Sequence, residues 1–315
     1  MNRILLFLLF SLPFFLRAQF APCVGFPGTT AIESDSSVFK AWASGCKSSL
    51  GWLDIANKNL GKPTIGDSLS PIGKAGFNGV LSLGDGGEAV LTFDYPISNG
   101  EGPDFAVFEN SFNNTFLELA FVEVSSDGIH FVRFPATSLS DTSVQLDNNA
   151  SMDATKLNNL AGKYKANYGT PFDLEELKDS IGLNLKAITH VKIMDVVGSV
   201  NPVYGTRDAH HHLINDPYPT PYPSAGFDLD AVGVIHSEAL GLGEATIHFS
   251  IYPNPSTGIF TINAPGENRV EVYSVKGENV VQQIFLNTLK VDLTAFPKGM
   301  YFVVVNGVAR KVIVE

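Results

Sequence analysis

Carboxylates beside predicted strands are the side chains with the clearest potential for chemistry. Asp228 and Asp230 lie two residues apart in an apolar run, and in a strand this spacing points both side chains to one face. Asp104 and Glu109 bracket another apolar run. Because Ca²⁺ takes about six to eight oxygen ligands and favours carboxylates, these four residues predict a structural calcium site. The alternative is that Asp104 and Asp228 accept backbone N–H groups in turns while Glu109 and Asp230 face solvent.

A proline-rich loop holds a second group of candidate residues. Tyr218 and Tyr222 alternate with prolines in the run YPTPYP, and proline keeps such a backbone extended and stiff. Aromatic rings presented in this way can stack on a sugar or anchor a protein partner. The alternative is that both rings pack over the end of a β-sandwich.

Three consecutive histidines, His210 to His212, precede that loop. Adjacent residues do not converge on one metal ion, so a solvated loop is favoured over a transition-metal site. The sequence contains no G-x-S-x-G, H-E-x-x-H or P-loop motif. A non-enzymatic role is therefore expected, and a hydrolase built on an unrecognised carboxylate pair stays open.

The net charge limits which partners the protein can bind, and the cysteine content bears on the compartment in which it folds. The formal net charge of −11 disfavours nucleic acid, because no basic cluster is available to neutralise phosphates. The chain has two cysteines, Cys23 and Cys46. A disulfide between them is expected if the protein is exported, and two unpaired thiols are the alternative.

The first 18 residues predict export. Residues 1–18 have a basic start at Arg3, an apolar run and a small residue at Ala18, the pattern of a cleaved signal peptide. The apolar run is too short to span a bilayer, and no later segment predicts a transmembrane anchor.

Alternating apolar runs separated by Gly, Asn and Asp predict an all-β first domain over residues 19–237. The Asp127-Gly128 pair between two such runs predicts a hairpin. One helix is expected from Phe172 to Ile181, with Thr170 as its cap and Pro171 in its first turn. Residues 238–246 form a predicted linker. Residues 247–315 contain about seven short apolar runs, which suits a small Ig-like β-sandwich.

The tail from Ile251 to Glu315 resembles the type A C-terminal sorting domain carried by cargo of the Bacteroidetes type IX secretion system. The matching residues are Pro253, Asn254, Pro255, Gly258, Gly299, Tyr301 and Lys311. The resemblance implies passage through the periplasm, interaction with the secretion machinery, and a final location outside the cell or on its outer surface.

The first domain has a resemblance of its own. The segments GDGGEAVLTFDY, VEVSSDGIHF and GFDLDAVGVI follow one another as in uncharacterised bacterial surface domains that are discoidin-like or galactose-binding-like. The resemblance implies a discoidin-like or jelly-roll β-sandwich that binds a glycan or a surface partner. A secreted hydrolase and a structural or adhesive surface component are the alternatives, because this fold class serves many functions.

Overall fold

Strands account for nearly all regular structure in the chain. A computed structural model describes residues 20–237, 249–306 and 308–315. The chain divides into two compact units between residues 240 and 241. The predicted signal peptide, residues 1–18, and the predicted linker, residues 238–246, lie outside the described residues.

The first unit contains thirteen described strands and three short 3₁₀ helices, at Lys58–Leu60, Ala154–Lys156 and Leu174–Leu177. The strands are β1 (Ile32–Glu33), β2 (Ala41–Trp42), β3 (Gly45–Ser49), β4 (Leu81–Ser82), β5 (Glu88–Ile97), β6 (Phe105–Glu109), β7 (Ala120–Ser125), β8 (Val132–Arg133), β9 (Thr137–Ser138), β10 (Leu157–Asn158), β11 (Tyr168–Phe172), β12 (Ile188–Asp195) and β13 (Asp228–Val234).

Two antiparallel sheets face each other in this unit. The first has the order β1-β11-β6-β13-β2, with β4 also paired to β13, and the second has the order β3-β5-β12-β7-β8. One hydrophobic core joins the sheets, with Phe105 and Val107 from the first and Val191 and Ile193 from the second. Alternate residues of each strand supply this core, so the predicted all-β sandwich is confirmed.

The second unit is a curled five-stranded sheet in the order β14-β15-β17-β18, with β16 also paired to β15. Its strands are β14 (Ser250–Tyr252), β15 (Ile259–Ser274), β16 (Asn279–Asp292), β17 (Gly299–Val305) and β18 (Val308–Val314). One of the two register breaks in the β15–β16 pair, between Asn263 and Glu267, lies where the sequence predicted a gap between two short strands. Four of the predicted runs are therefore joined into β15 and β16, and this unit has its own core around Phe260, Val272 and Val303.

Two local predictions have opposite outcomes. Strands β7 and β8 form the predicted hairpin, and the Asp127 side chain accepts the N–H groups of Ile129 and His130 in its turn. The predicted helix from Phe172 to Ile181 is wrong. Thr170 and Pro171 pair with β6 as part of β11, and only a 3₁₀ turn follows, capped by Asp173. Residues 170–172 form a strand despite their helix-start pattern, because pairing with β6 places Phe172 in the hydrophobic core.

Replacing Phe105 by alanine should destabilise the first unit by about 3–5 kcal/mol, because the ring is fully buried and stacks 5.4 Å from Phe172. Urea denaturation followed by tryptophan fluorescence measures this change, since both tryptophans, Trp42 and Trp52, lie in the first unit. Tyr95→Ala, at an exposed position of β5, is the control and should cost no more than about 0.5 kcal/mol. Equal losses in both variants would contradict the core assignment.

Candidate functional site

Rows of core-facing side chains in the first unit end in buried carboxylates. In β12 the row Val191, Ile193 ends in Asp195, and in β6 the row through Val107 ends in Glu109. Glu118 lies two residues before Ala120, whose side chain is part of the same core. All three acids are buried. One end of the sandwich interior is therefore closed by acids instead of apolar groups.

Two loop residues, Asp85 and Asp216, join this end. The Asp85 Oδ2 accepts the N–H of Ile55 at 2.8 Å, and the Asp216 Oδ2 accepts the N–H of Leu119 at 2.8 Å. Asp195 is held by two backbone groups: Gly86 N–H lies 2.9 Å from its Oδ2, and Phe227 N–H lies 2.8 Å from its Oδ1. Backbone donors thus fix where these carboxylates lie.

Asp85, Glu118, Asp195 and Asp216 line one small cavity of about 10 Å³. That volume holds roughly one water-sized sphere. Asp216 is only 3% exposed, and among the described residues its Oδ1 has no hydrogen-bond partner. Gly226 borders the cavity with φ +70°, and a Cβ there would lie 2.7 Å from the Asp195 Oδ1. Glycine is therefore required for the backbone to approach the carboxylate.

Burial and mutual repulsion raise the pKa of every carboxyl group in this region. Burial is the main cause, and it raises the pKa of Asp85 to about 7 and of Asp195 to about 8. Burial also raises the pKa of Glu118 and Asp216 well above the ordinary range, and the negative charges of neighbouring acids add to it. These groups therefore resist ionisation as the pH approaches neutrality.

No lysine, arginine or histidine in residues 20–237 forms a salt bridge with these acids. The ion pairs of the first unit involve other carboxylates, such as Glu123 with Arg133 and Lys192. A buried charge without a counterion is costly. Any of these acids that ionises is therefore a buried charge without a basic partner at this end of the sandwich.

The four acids predicted to bind calcium do not all meet. Glu109, Asp228 and Asp230 lie near one another, and the charges of the two aspartates contribute to the raised pKa of Glu109. Asp104 lies at the opposite end of β6, where it accepts N–H groups from Gly100 and Leu174, both at 2.7 Å, and contacts the His236 Nδ1 at 2.8 Å. Asp104 therefore has the turn role that was the alternative.

Glu109 and Asp230 are buried, so the alternative that both face solvent is wrong, and Asp228 is buried as well. Asp228 accepts a hydrogen bond from the Ser82 hydroxyl, and both Asp230 oxygens lie 3.0 Å from the N–H of Gly76. The β13–β6 register shifts between Leu229 and Ala231, so regular alternation fails at Asp230.

The predicted set of calcium ligands did not include Asp85, Glu118, Asp195 or Asp216. For Asp195, Glu109 and Glu118 the available signal was their spacing. Each acid lies two residues from a core residue, and in an extended chain this spacing points both side chains to the same face. No such signal exists for Asp216, which lies in a loop and is brought in by its bond to Leu119.

An aromatic cleft of about 290 Å³ lies next to the acids and shares Glu118 and Thr220 with the small cavity. The Phe112 and Phe116 rings stack with centroids 4.8 Å apart, and Phe112 is 74% exposed. The full lining is Asn110, Phe112, Phe116, Glu118, Asn148, Asn149, Thr220, Tyr222, Ser224 and Asp228. Aromatic faces, amides and carboxylates thus share one surface.

The two predicted tyrosines have different positions. Tyr222 is 52% exposed and lines the cleft, with its hydroxyl 2.8 Å from the Asn148 Nδ2. Tyr218 is buried, and its hydroxyl donates to the Asp54 Oδ1 at 2.8 Å. The expectation that Tyr218 is presented on an exposed loop is therefore wrong.

Another cavity, of about 370 Å³, lies beside Leu146, Met152 and Lys156. No aromatic ring lines it, and its polar groups are scattered serines, two aspartates and one lysine. It offers less for specific recognition than the aromatic cleft.

The histidine run is an exposed turn organised by Asp208. The Asp208 Oδ1 accepts the N–H groups of His210 and His212, both at 2.9 Å, while the histidine side chains face solvent. This arrangement agrees with the predicted solvated loop.

Both cysteines are free thiols in the structure, so it does not contain the predicted Cys23–Cys46 disulfide. Cys46 lies in β3 and packs against the core between the sheets. Cys23 packs against a separate cluster that includes Leu117 and Phe121. Burial raises the pKa of the Cys46 thiol to about 11.

The tail residues that carry the resemblance to a sorting domain make structural contacts within the second unit. The Asn254 side chain donates to the Lys311 carbonyl at 2.9 Å and accepts the N–H of Ile313 at 3.0 Å, which ties the Pro253-Asn254-Pro255 turn to β18. Gly258 and Gly299 have positive φ angles of 101° and 146°. The Tyr301 hydroxyl donates to the Pro297 carbonyl at 2.6 Å.

The chain is an exported protein with two β units, and the second unit contains the sorting signal. Residues 250–315 match the secretion system C-terminal sorting domain family. The chain is therefore a cargo protein of the type IX secretion system, exported to the cell surface or into the medium.

No curated protein sequence matches the chain. Among solved structures, β-glucuronidase from Ruminococcus gnavus with uronic isofagomine is similar at 11% identity and a TM-score of 0.23. The match covers 88% of this chain and 44% of the enzyme. The apo form of that enzyme gives 11% identity, a TM-score of 0.23, and coverage of 88% and 45%. The chain thus spans less than half of these proteins, and such TM-scores establish no common fold.

Among the residues that the structure describes, no helix has the length and apolar character needed to cross a membrane.

The free energy of unfolding in EDTA should fall as the pH rises from about 4 to 8. The folded state raises the pKa of Asp228 to about 6, of Asp85 to about 7 and of Asp195 to about 8, so it holds protons that the unfolded chain releases. Stability from these groups is complete below pH 4 and is lost through pH 8. Thermal melts across this range test the sign.

Asp195→Asn should reduce that pH slope, while Asp127→Asn should leave it unchanged between pH 5 and 8. Asp127 is the matched control because hydrogen bonds from His130 and its neighbours lower its pKa. A stability that rises steadily toward pH 8 would show that the buried acids do not control it.

Deleting residues 250–315 should leave the protein in the periplasm, because the deletion removes the matched sorting domain. Fractionation and immunoblotting of a bacterium with the type IX system measure this against the intact chain. A truncated protein that reaches the medium as efficiently as the intact chain would disprove the role of the tail.

Proposed function

We propose that the first unit is a non-enzymatic glycan-binding module, carried outside the cell by its sorting domain. The observation that supports this most is the cleft at Phe112, Phe116 and Tyr222, where exposed rings lie beside amide side chains. Exposed apolar patches that are bordered by polar groups mark interaction sites.

The chemistry of the cleft suits a carbohydrate. A sugar ring has apolar C–H faces that pack on aromatic rings and hydroxyl groups that need donors and acceptors at its edge. The Phe112–Phe116 stack and Tyr222 supply the rings. Asn110, Asn148 and Asn149 supply amides that both donate and accept.

Size and charge restrict the ligand. The cleft volume of about 290 Å³ is close to the lower limit of small-molecule sites, roughly 300 Å³. Glu118 and Asp228 at its edge favour hydroxyl donors and disfavour anionic sugars. We therefore expect binding of a neutral glycan through one or two sugar units.

Hydrolysis is a second candidate, favoured by one observation. Glu118 and Asp228 both line the cleft, and burial raises both of their pKa values. A glycosidase uses one protonated and one ionised carboxyl group on opposite sides of its bond. Release of reducing ends from bound glycan, abolished in Glu118→Gln and Asp228→Asn, would establish this function in place of simple binding.

Phe112→Ala and Tyr222→Ala should each weaken binding of the best neutral glycan at least tenfold, because each removes a ring from the cleft. A glycan array with the mature chain identifies that ligand, and titration calorimetry measures the affinities. Tyr95→Ala is the matched control, an exposed tyrosine toward the far end of β5, and should bind as the unaltered protein does.

The proposal fails if no neutral glycan binds. It also fails if the two cleft variants bind as tightly as the Tyr95→Ala control.

A further inference from the structure

The cavity shared by Asp85, Glu118, Asp195 and Asp216 brings four carboxylates together without a basic residue among its lining groups. We propose that these four residues bind a single Ca²⁺ ion. The small cavity shares Glu118 and Thr220 with the aromatic cleft, but the test of this inference does not require a glycan to bind.

The first argument is the free carboxylate oxygen of Asp216. Its Oδ2 is anchored by the Leu119 N–H at 2.8 Å, while its Oδ1, buried at the cavity, has no partner in the part of the chain that the structure describes. An unpaired buried acceptor costs free energy unless a donor or a cation satisfies it. The Oδ1 is therefore the first ligand of the ion.

The second argument is the nature of the available oxygens. Glu118 makes no side-chain hydrogen bond with the described residues, so both of its oxygens are available to a cation. Asp85 uses Oδ2 for the Ile55 N–H, which leaves its Oδ1. Each Asp195 oxygen accepts one N–H and keeps a second lone pair. Together the four groups supply enough oxygens for the roughly six to eight ligands of calcium.

The choice of ion follows from the ligands and the space. Oxygen-only carboxylate ligands favour a hard cation, and no histidine or cysteine lines the cavity, which disfavours zinc. Magnesium normally keeps several waters, and a volume of about 10 Å³ has no room for them. Calcium binds carboxylates directly and tolerates irregular geometry.

The carboxylates must rotate inward to bind the ion. No three acid, histidine or cysteine side chains in residues 20–237 already stand in a metal-binding arrangement. Ionised carboxylates repel one another, whereas a divalent cation between them attracts each one. Glu118 has the longest side chain of the four and no hydrogen bond to break, so it can close the site.

The ligand set differs from the one that the sequence predicted. Asp104 is excluded because it lies at the other end of β6 with three partners of its own. Glu109 and Asp228 are neighbours whose charge favours a cation nearby, as their effect on the Glu118 carboxyl group shows.

The test is a thermal melt of the mature chain stripped with EDTA, then titrated with CaCl₂ or MgCl₂ at pH 7.5. At a concentration about 100-fold above the dissociation constant, CaCl₂ should raise the melting temperature of the first unit by roughly 5–10 °C. MgCl₂ should give a smaller rise.

Asp216→Asn and Glu118→Gln separate a ligand role from a structural one. Each variant should lose the calcium response and yet melt in EDTA at or above the temperature of the unaltered protein, since each removes one repelling charge. Asp104→Asn is the matched control, another buried aspartate held by backbone N–H groups, and should keep the full calcium response.

Two results would overturn the proposal: no calcium-dependent rise in the unaltered chain, or equal rises in the unaltered chain and in both cavity variants. If a variant does not fold, equilibrium dialysis of the unaltered chain with CaCl₂ decides the matter. One tightly held ion per chain supports the site, and none refutes it.

Discussion

Repulsion among buried carboxylates is the constraint on which the first unit depends. Hydrophobic burial between the two sheets supplies the favourable free energy, and the same strands that carry the core carry Asp195 and Glu109 at their ends. Backbone N–H groups position the acids but do not neutralise them. The fold therefore needs protons or a cation at that end, and its stability depends on which of the two is available.

Glu118 connects the two parts of the site, because it lines both the small cavity and the aromatic cleft. A Glu118 that binds calcium is ionised and cannot donate a proton to a leaving group. Its orientation toward the ion also fixes one wall of the cleft. Cation binding and hydrolysis are thus competing uses of one side chain, whereas cation binding and glycan recognition are compatible.

Much of the fold was predictable because alternation is a local signal. The apolar run between Asp104 and Glu109 predicted β6, the run with Asp228 and Asp230 predicted β13, and Asp127-Gly128 predicted the β7–β8 hairpin. The helix at Phe172 was wrong because pairing of Thr170 with β6 depends on a strand more than 60 residues away. The predicted calcium ligands included none of the four cavity acids, and two of these, Asp85 and Asp216, reach the cavity through loops whose course is set by tertiary contacts. Tyr218 looked exposed because its partner, Asp54, is 164 residues away in the sequence.

The Asn254 side chain joins the turn that follows β14 to Lys311 and Ile313 in β18. Without β18 the turn at Pro253 and Pro255 has no strand to close against. This part of the sorting unit therefore closes only when both ends of the unit are present, and loss of either end would open the turn.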